Sequence, residues 1–201
     1  MNKIIKKEKQ IKLRNKKLLK EFSFMSPVDW CGNKVSSRIH RFRCTAWDDI
    51  PAGWRKAFGE LLAKEIKTAL INDGIPPGAI WFVQIKEKFG ELRMYSNLYT
   101  RSLNRLLSDY EVISRHVCMA CGKPDSGITV SGWTMPLCEE CAKKLNLDIS
   151  PPERIPDSYD VVIWSSADGK TTSTIYIKDK ADMIRNNYDK RKGKHGENRQ
   201  T

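Results

Sequence analysis

No uninterrupted apolar run in the 201 residues exceeds five, Ala79 to Val83 being one such run, whereas a membrane helix needs roughly 18. A spanning helix is therefore excluded. No apolar stretch follows the basic N-terminus, so no signal peptide is expected, and the cytoplasm is the expected location. Cysteine is sparse, at six. In a reducing compartment six cysteines point to metal or free thiols rather than disulfides. The three histidines, His40, His116 and His195, are dispersed. There is no Gly-rich phosphate loop, no GxSxG and no informative Ser/His/Asp spacing, which removes the usual signatures of phosphoryl transfer and nucleophilic hydrolysis. No histidine lies between Cys121 and Cys138, nor after Cys141 until His195. Treble-clef nuclease chemistry needs one there and is excluded with the rest.

The middle of the chain also lacks net charge. The formal charge is +12, but residues 21–177 hold nineteen basic and nineteen acidic side chains. Residues 1–20 hold nine Lys/Arg and one Glu, and residues 178–201 hold eight Lys/Arg and four Asp/Glu. The basicity belongs to the two ends, so any nucleic-acid partner it implies is expected at the tails. Within the body only Arg38, Arg41 and Arg43, beside His40, form a local basic cluster.

What is present reads as an α+β chain of amphipathic helices and β-hairpins. Residues 1–21 form a basic N-terminal arm, helical or disordered, with apolar residues too scattered for a clean stripe. Residues 22–117 form an α+β body. In it Trp54 to Leu70 carries an apolar helical face, Ile80 to Tyr95 reads as a charged hairpin turning at Phe89-Gly90, and Leu103 to Val117 reads as a second amphipathic helix. Residues 118–149 form a cysteine module, and the proline-rich stretch 150–157 a linker. Residues 157–190 form a second hairpin, Tyr159 to Ile177, and a short helix over Lys180 to Lys190. Residues 191–201 form a basic tail.

Cys118-Met119-Ala120-Cys121 and Cys138-Glu139-Glu140-Cys141 stand sixteen residues apart. A CxxC turn sets two thiolates along one edge of a tetrahedron, and two such turns supply the four soft ligands that Zn²⁺ takes in a structural site. Gly122 permits the tight turn, Gly127 to Met135 suits a short hairpin, and a helix start follows the second pair. Knuckle, hairpin and knuckle at a helix N-terminus describe a zinc ribbon or treble clef with one structural zinc. A redox dithiol and packed free thiols are the alternatives. Four cysteines leave no open position for catalytic water. Cys31, His40 and Cys44 are a candidate second metal site without an obvious fourth ligand.

Lys86-Glu87-Lys88-Phe89-Gly90-Glu91-Leu92-Arg93 places five charges about a turn. One reading is a solvated tip with cross-strand ion pairs. The other is a cationic wall for an anionic ligand, with Lys86, Lys88 and Arg93 as donors and Tyr95 or Trp81 as a stacking surface.

Gly53-Trp54, the stretch Val83-Gln84-Ile85-Lys86-Glu87-Lys88-Phe89-Gly90-Glu91-Leu92-Arg93-Met94-Tyr95, Cys118 to Pro124, Gly132-Trp133 and Leu137 to Cys141 follow one another in an order that resembles a widespread group of phage and prophage proteins. These share a QxKEKFGxLRFY hairpin followed by a CxxC…CxxC ribbon. Met94 stands where the group carries Phe, and the resemblance covers about Gly53 to Lys144. It implies a phage-borne accessory protein in the host cytoplasm and supplies no activity. The chain thus reads as a zinc-binding accessory protein that acts by binding, with nucleic acid as the first expectation. Inhibition of a host defence protein, or sequestration of a nucleotide signal, is the alternative. An enzyme using Glu87 or Glu91 on a phosphate-bearing substrate is a second alternative, lacking a nucleophile.

Overall fold

Trp54, Phe58, Leu62, Ile66 and Leu70 recur every fourth residue, and the helix they predict is the centre of the core, all five being buried. The computed structural model describes residues 2–29, 31–33, 45–165 and 169–197, of which 2–8, 163–165 and 194–197 by backbone alone. Among these residues the order is α1 (Asn2–Glu21), α2 (52–72), β1 (Phe82–Lys88), β2 (Glu91–Ser96), α3 (Arg101–Arg115), β3 (Gly127–Ile128), β4 (Pro136–Leu137), α4 (Glu139–Leu145), β5 (Ser158–Ser165), β6 (Gly169–Tyr176) and α5 (Lys178–Glu197). Each sheet is an antiparallel pair: β1–β2, β3–β4 and β5–β6. The α+β class read from the sequence is the class observed. No helix among the described residues is long and apolar enough to cross a membrane.

α2 is one continuous run interrupted by a π-turn over Arg55–Gly59. Its end is set by Gly74 at φ +70, with the Gly74 and Ile75 amides bonding the Ile71 and Leu70 carbonyls. Thr100 caps α3 by accepting from the Leu103 amide at 3.1 Å.

The first and last helices both join the main core. α1 contains neither Gly nor Pro. It docks through buried Asn15, held by Arg14 and facing Asp48, and through Leu18 and Leu19. The lack of a wide apolar stripe did not prevent docking, because the contact is short and partly polar. The segment 150–157 is anchored rather than free: Ile155 is fully buried, and Arg185 donates to its carbonyl at 3.1 Å. The C-terminal helix runs well past Lys190, with Ala181 and Ile184 buried against the core.

Candidate metal centre and hairpin face

The Cys118 amide donates to the Lys123 carbonyl at 2.9 Å and the Gly122 amide to the Cys118 carbonyl at 2.8 Å, which folds the first CxxC into a knuckle. Gly122 needs its glycine: φ is +83, and a Cβ would sit 2.5 Å from the Gly53 carbonyl. The second knuckle opens α4, with Cys138 at its N-cap and Cys141 in its first turn. The Met119 amide donates to the Pro136 carbonyl at 2.9 Å and closes one knuckle on the other. All four sulfurs lie within 4.8 Å of one another, and Cys121 Sγ is 3.6 Å from Cys138 Sγ. Four sulfurs about 2.3 Å from a central ion stand about 3.8 Å apart in a tetrahedron, so the donor set fits one metal ion.

The thiols are electrostatically interdependent. The Cys121 side chain, by hydrogen bonding, holds the Cys118 thiol down to about 4 against the opposing effect of burial. The same bond, with burial, pushes Cys121 well above the ordinary thiol range. Burial and the charge on Cys118 push Cys141 up to about 11. One thiolate is stable here and further ones repel it, a repulsion that a bound cation relieves.

The knuckle is joined to the core helix. The Gly53 amide donates to the Met119 carbonyl at 2.8 Å, and the Trp54 indole donates to the Val117 carbonyl at 2.7 Å. A Cβ on Gly53 would meet the Cys118 carbonyl at 2.3 Å. Gly53→Ala is therefore expected to destabilise the fold by about 2 kcal/mol through overpacking at a backbone contact; thermal unfolding checks it. His116 stays outside the ligand set, its Nδ1 3.8 Å from Glu153 and its pKa lowered mainly by burial. Cys31 is exposed. His40, Cys44, Arg38, Arg41 and Arg43 lie outside the described residues.

The hairpin docks on the metal module. Phe89 and Gly90 both have positive φ, +54 and +80, the geometry of a two-residue turn with left-handed central residues. Glu87 accepts the Gly90 amide at 2.6 Å with one oxygen and the Trp133 indole N–H at 3.0 Å with the other. Gly90 packs against Thr134, whose methyl would lie 3.2 Å from an added Cβ. Ile85, Leu92 and Met94 point inward and are buried. Lys86 pairs across the strands with Arg93, and Lys88 with Glu91.

The sequence-derived candidates separate here. Arg93 is already engaged: it donates to Glu111 at 2.6 Å and to Glu91, while Arg115 reaches Glu91 at 3.1 Å. Trp81 packs over Gly32, not over the cationic strand residues. Lys86 and Lys88 have no carboxylate partner among the described residues. Instead each ammonium lies over a ring, Lys86 over Tyr95 and Lys88 over Phe89, both 5.5 Å from the centroid. Phe89 is 66% exposed, Trp133 67% and Tyr95 38%. Phe89 and Trp133 enter the sequence reading only as a turn residue and a motif residue, not as ligand-binding candidates. A Phe where a left-handed turn wants Asn or Gly was the available signal.

No family model matches the chain, and no curated protein or solved structure matches it.

Proposed function

We propose that the chain is a phage-type accessory zinc-binding protein whose hairpin face binds single-stranded nucleic acid. The observation that carries this is the set of exposed rings and uncommitted ammonium groups about one hairpin: Tyr95 with Lys86 on one face of the strands, Phe89 with Lys88 at the turn, and Trp133 held by Glu87. Rings that face solvent accept unstacked bases of any sequence, and neighbouring cations meet the backbone phosphates. Zinc suits the metal centre because it favours tetrahedral thiolate sets without redox chemistry. Cys118, Cys121, Cys138 and Cys141 would hold it. Its contribution is structural, fixing the knuckle on which the hairpin rests. No nucleophile or open metal position accompanies the charged hairpin, which favours binding over catalysis. The resemblance to phage proteins supports the accessory role.

The Phe89 backbone supplies a test with two readouts of opposite sign. A bulky residue in the left-handed region costs about 1–2 kcal/mol, so Phe89→Asn, which creates an Asn-Gly turn, is expected to hold or raise the melting temperature. The same change removes a stacking ring, a loss of about 1–3 kcal/mol, or roughly 5- to 160-fold in Kd. Fluorescence anisotropy with a single-stranded oligonucleotide reads the second effect. Unchanged affinity in Phe89→Asn combined with Trp133→Ala would overturn the assignment.

A further inference from the structure

A second cationic site lies where the two basic ends of the chain meet. A cleft of about 610 Å³ is bounded by α1, the π-turn of α2 and α5, and six cations line it: Arg14, Lys17, Arg55, Lys56, Lys190 and Arg191. Leu18 and Leu61 form part of its apolar wall. Two carboxylates line it, Glu21 and Glu60, and Glu60 is paired with Lys64 at 2.8 Å. Beside the cleft, Asp48 is shared by Arg14 at 2.7 Å and Arg55 at 2.9 Å. Lys17, Lys56, Lys190 and Arg191 have no carboxylate partner among the described residues.

Arg191 is the most telling of these. Its Nη1 donates to the Lys56 carbonyl within the π-turn. Such a turn displaces one carbonyl from the helical ladder, and π-turns are frequent at functional sites. Its Nε and Nη2 are buried and find no acceptor. Burial lowers the guanidinium's pKa, with Tyr188 and Cys121 acting in the opposite direction. Both donors are closed to solvent, so Arg191 adds fixed positive charge behind the cleft rather than a contact in it.

We propose that this cleft binds a phosphate group, Lys17, Lys56 and Lys190 meeting it from the cleft wall and Arg191 adding charge behind them. Three lysines without a carboxylate partner, backed by Arg191, exceed the single charge of a backbone diester. They match a phosphomonoester or pyrophosphate, which carries about two negative charges or more. The source is either the terminal phosphate of a nucleic acid or a free nucleotide. The site stands independently of the hairpin reading.

The test compares one single-stranded oligonucleotide with a 5′-phosphate and with a 5′-hydroxyl, alongside calorimetric titration of inorganic pyrophosphate. Arg191 also braces the π-turn, so the variant is Lys17→Gln with Lys190→Gln, both exposed. A nucleic-acid end is indicated by at least tenfold tighter binding of the 5′-phosphorylated strand, reduced to under twofold in the double variant. A free nucleotide is indicated if the two strands bind alike, or not at all, while pyrophosphate binds and the variant weakens it tenfold. Equal binding of both strands with no pyrophosphate binding, or phosphate binding unaffected by the variant, overturns the proposal. Phe89→Asn should lower affinity for both strands and leave their ratio unchanged, so failure of the hairpin reading is separately visible.

Discussion

Cys138→Ser is expected to lose the metal and to melt far below the native chain. Cys138 is nearly inaccessible to solvent, sits at the N-cap position of α4, and its Sγ lies 3.6 Å from Cys121 Sγ. A three-sulfur set with one hydroxyl binds a soft tetrahedral ion much more weakly. Binding energy at such sites is folding energy, because the unfolded chain does not preform the site. The damage is not confined to the knuckles. Gly53 and Trp54 hang on the backbone of 117–119, and Arg185 ties α5 to Asp125 at 3.0 Å. A loss of about 4 kcal/mol or more is expected, or roughly 8–16 °C for a chain of this length. Metal analysis and thermal unfolding read both effects, and a strong chelator should reproduce them on the native chain. An unchanged melting temperature after complete metal removal would make the tetrad a packed thiol cluster.

Asp109→Ala is expected to rank next, at about 3 kcal/mol. Asp109 is only 2% exposed, yet it receives Lys180 at 2.9 Å, Arg105 at 3.2 Å and the Tyr159 hydroxyl at 2.8 Å. These partners come from α3, α5 and β5, so one carboxylate fastens the C-terminal hairpin and helix to the body. Removing it leaves Lys180 with Glu65 at 3.6 Å as its remaining counterion. Breaking a buried pair from one side costs more than the pair contributes, because the surviving charge stays desolvated. Chemical denaturation should show the loss as a lower midpoint. A change under about 0.5 kcal/mol would mean the C-terminal elements rest on Ile175, Ile177 and Ile184 with the Arg185–Asp125 pair.

Local features were the legible ones. Two CxxC pairs predicted one four-sulfur cluster because ligand spacing is set within a turn, and the 3.6-residue period marked α2 and α3 because their apolar faces are wide. Pairings across the chain were not legible. Arg93 pairs with Glu91, a neighbour in sequence, but its second partner is Glu111 on α3, 18 residues away. Glu87 holds Trp133 from 46 residues away. α1 docks by one buried Asn and two leucines, too narrow a contact to appear as a periodic stripe. The phosphate cleft draws its cations from three distant segments, each of which alone looks like solvated surface. Only tertiary contact reveals that their charges converge.

The claim that the hairpin face carries the function is tested most directly by photocrosslinking the native protein to a single-stranded oligonucleotide and mapping the linked peptides by mass spectrometry. Crosslinks should fall on the peptides containing Phe89, Tyr95 and Trp133, and chelation of the metal should abolish them. Crosslinks confined to residues outside 81–96 and 130–135, or none at saturating oligonucleotide, would contradict it.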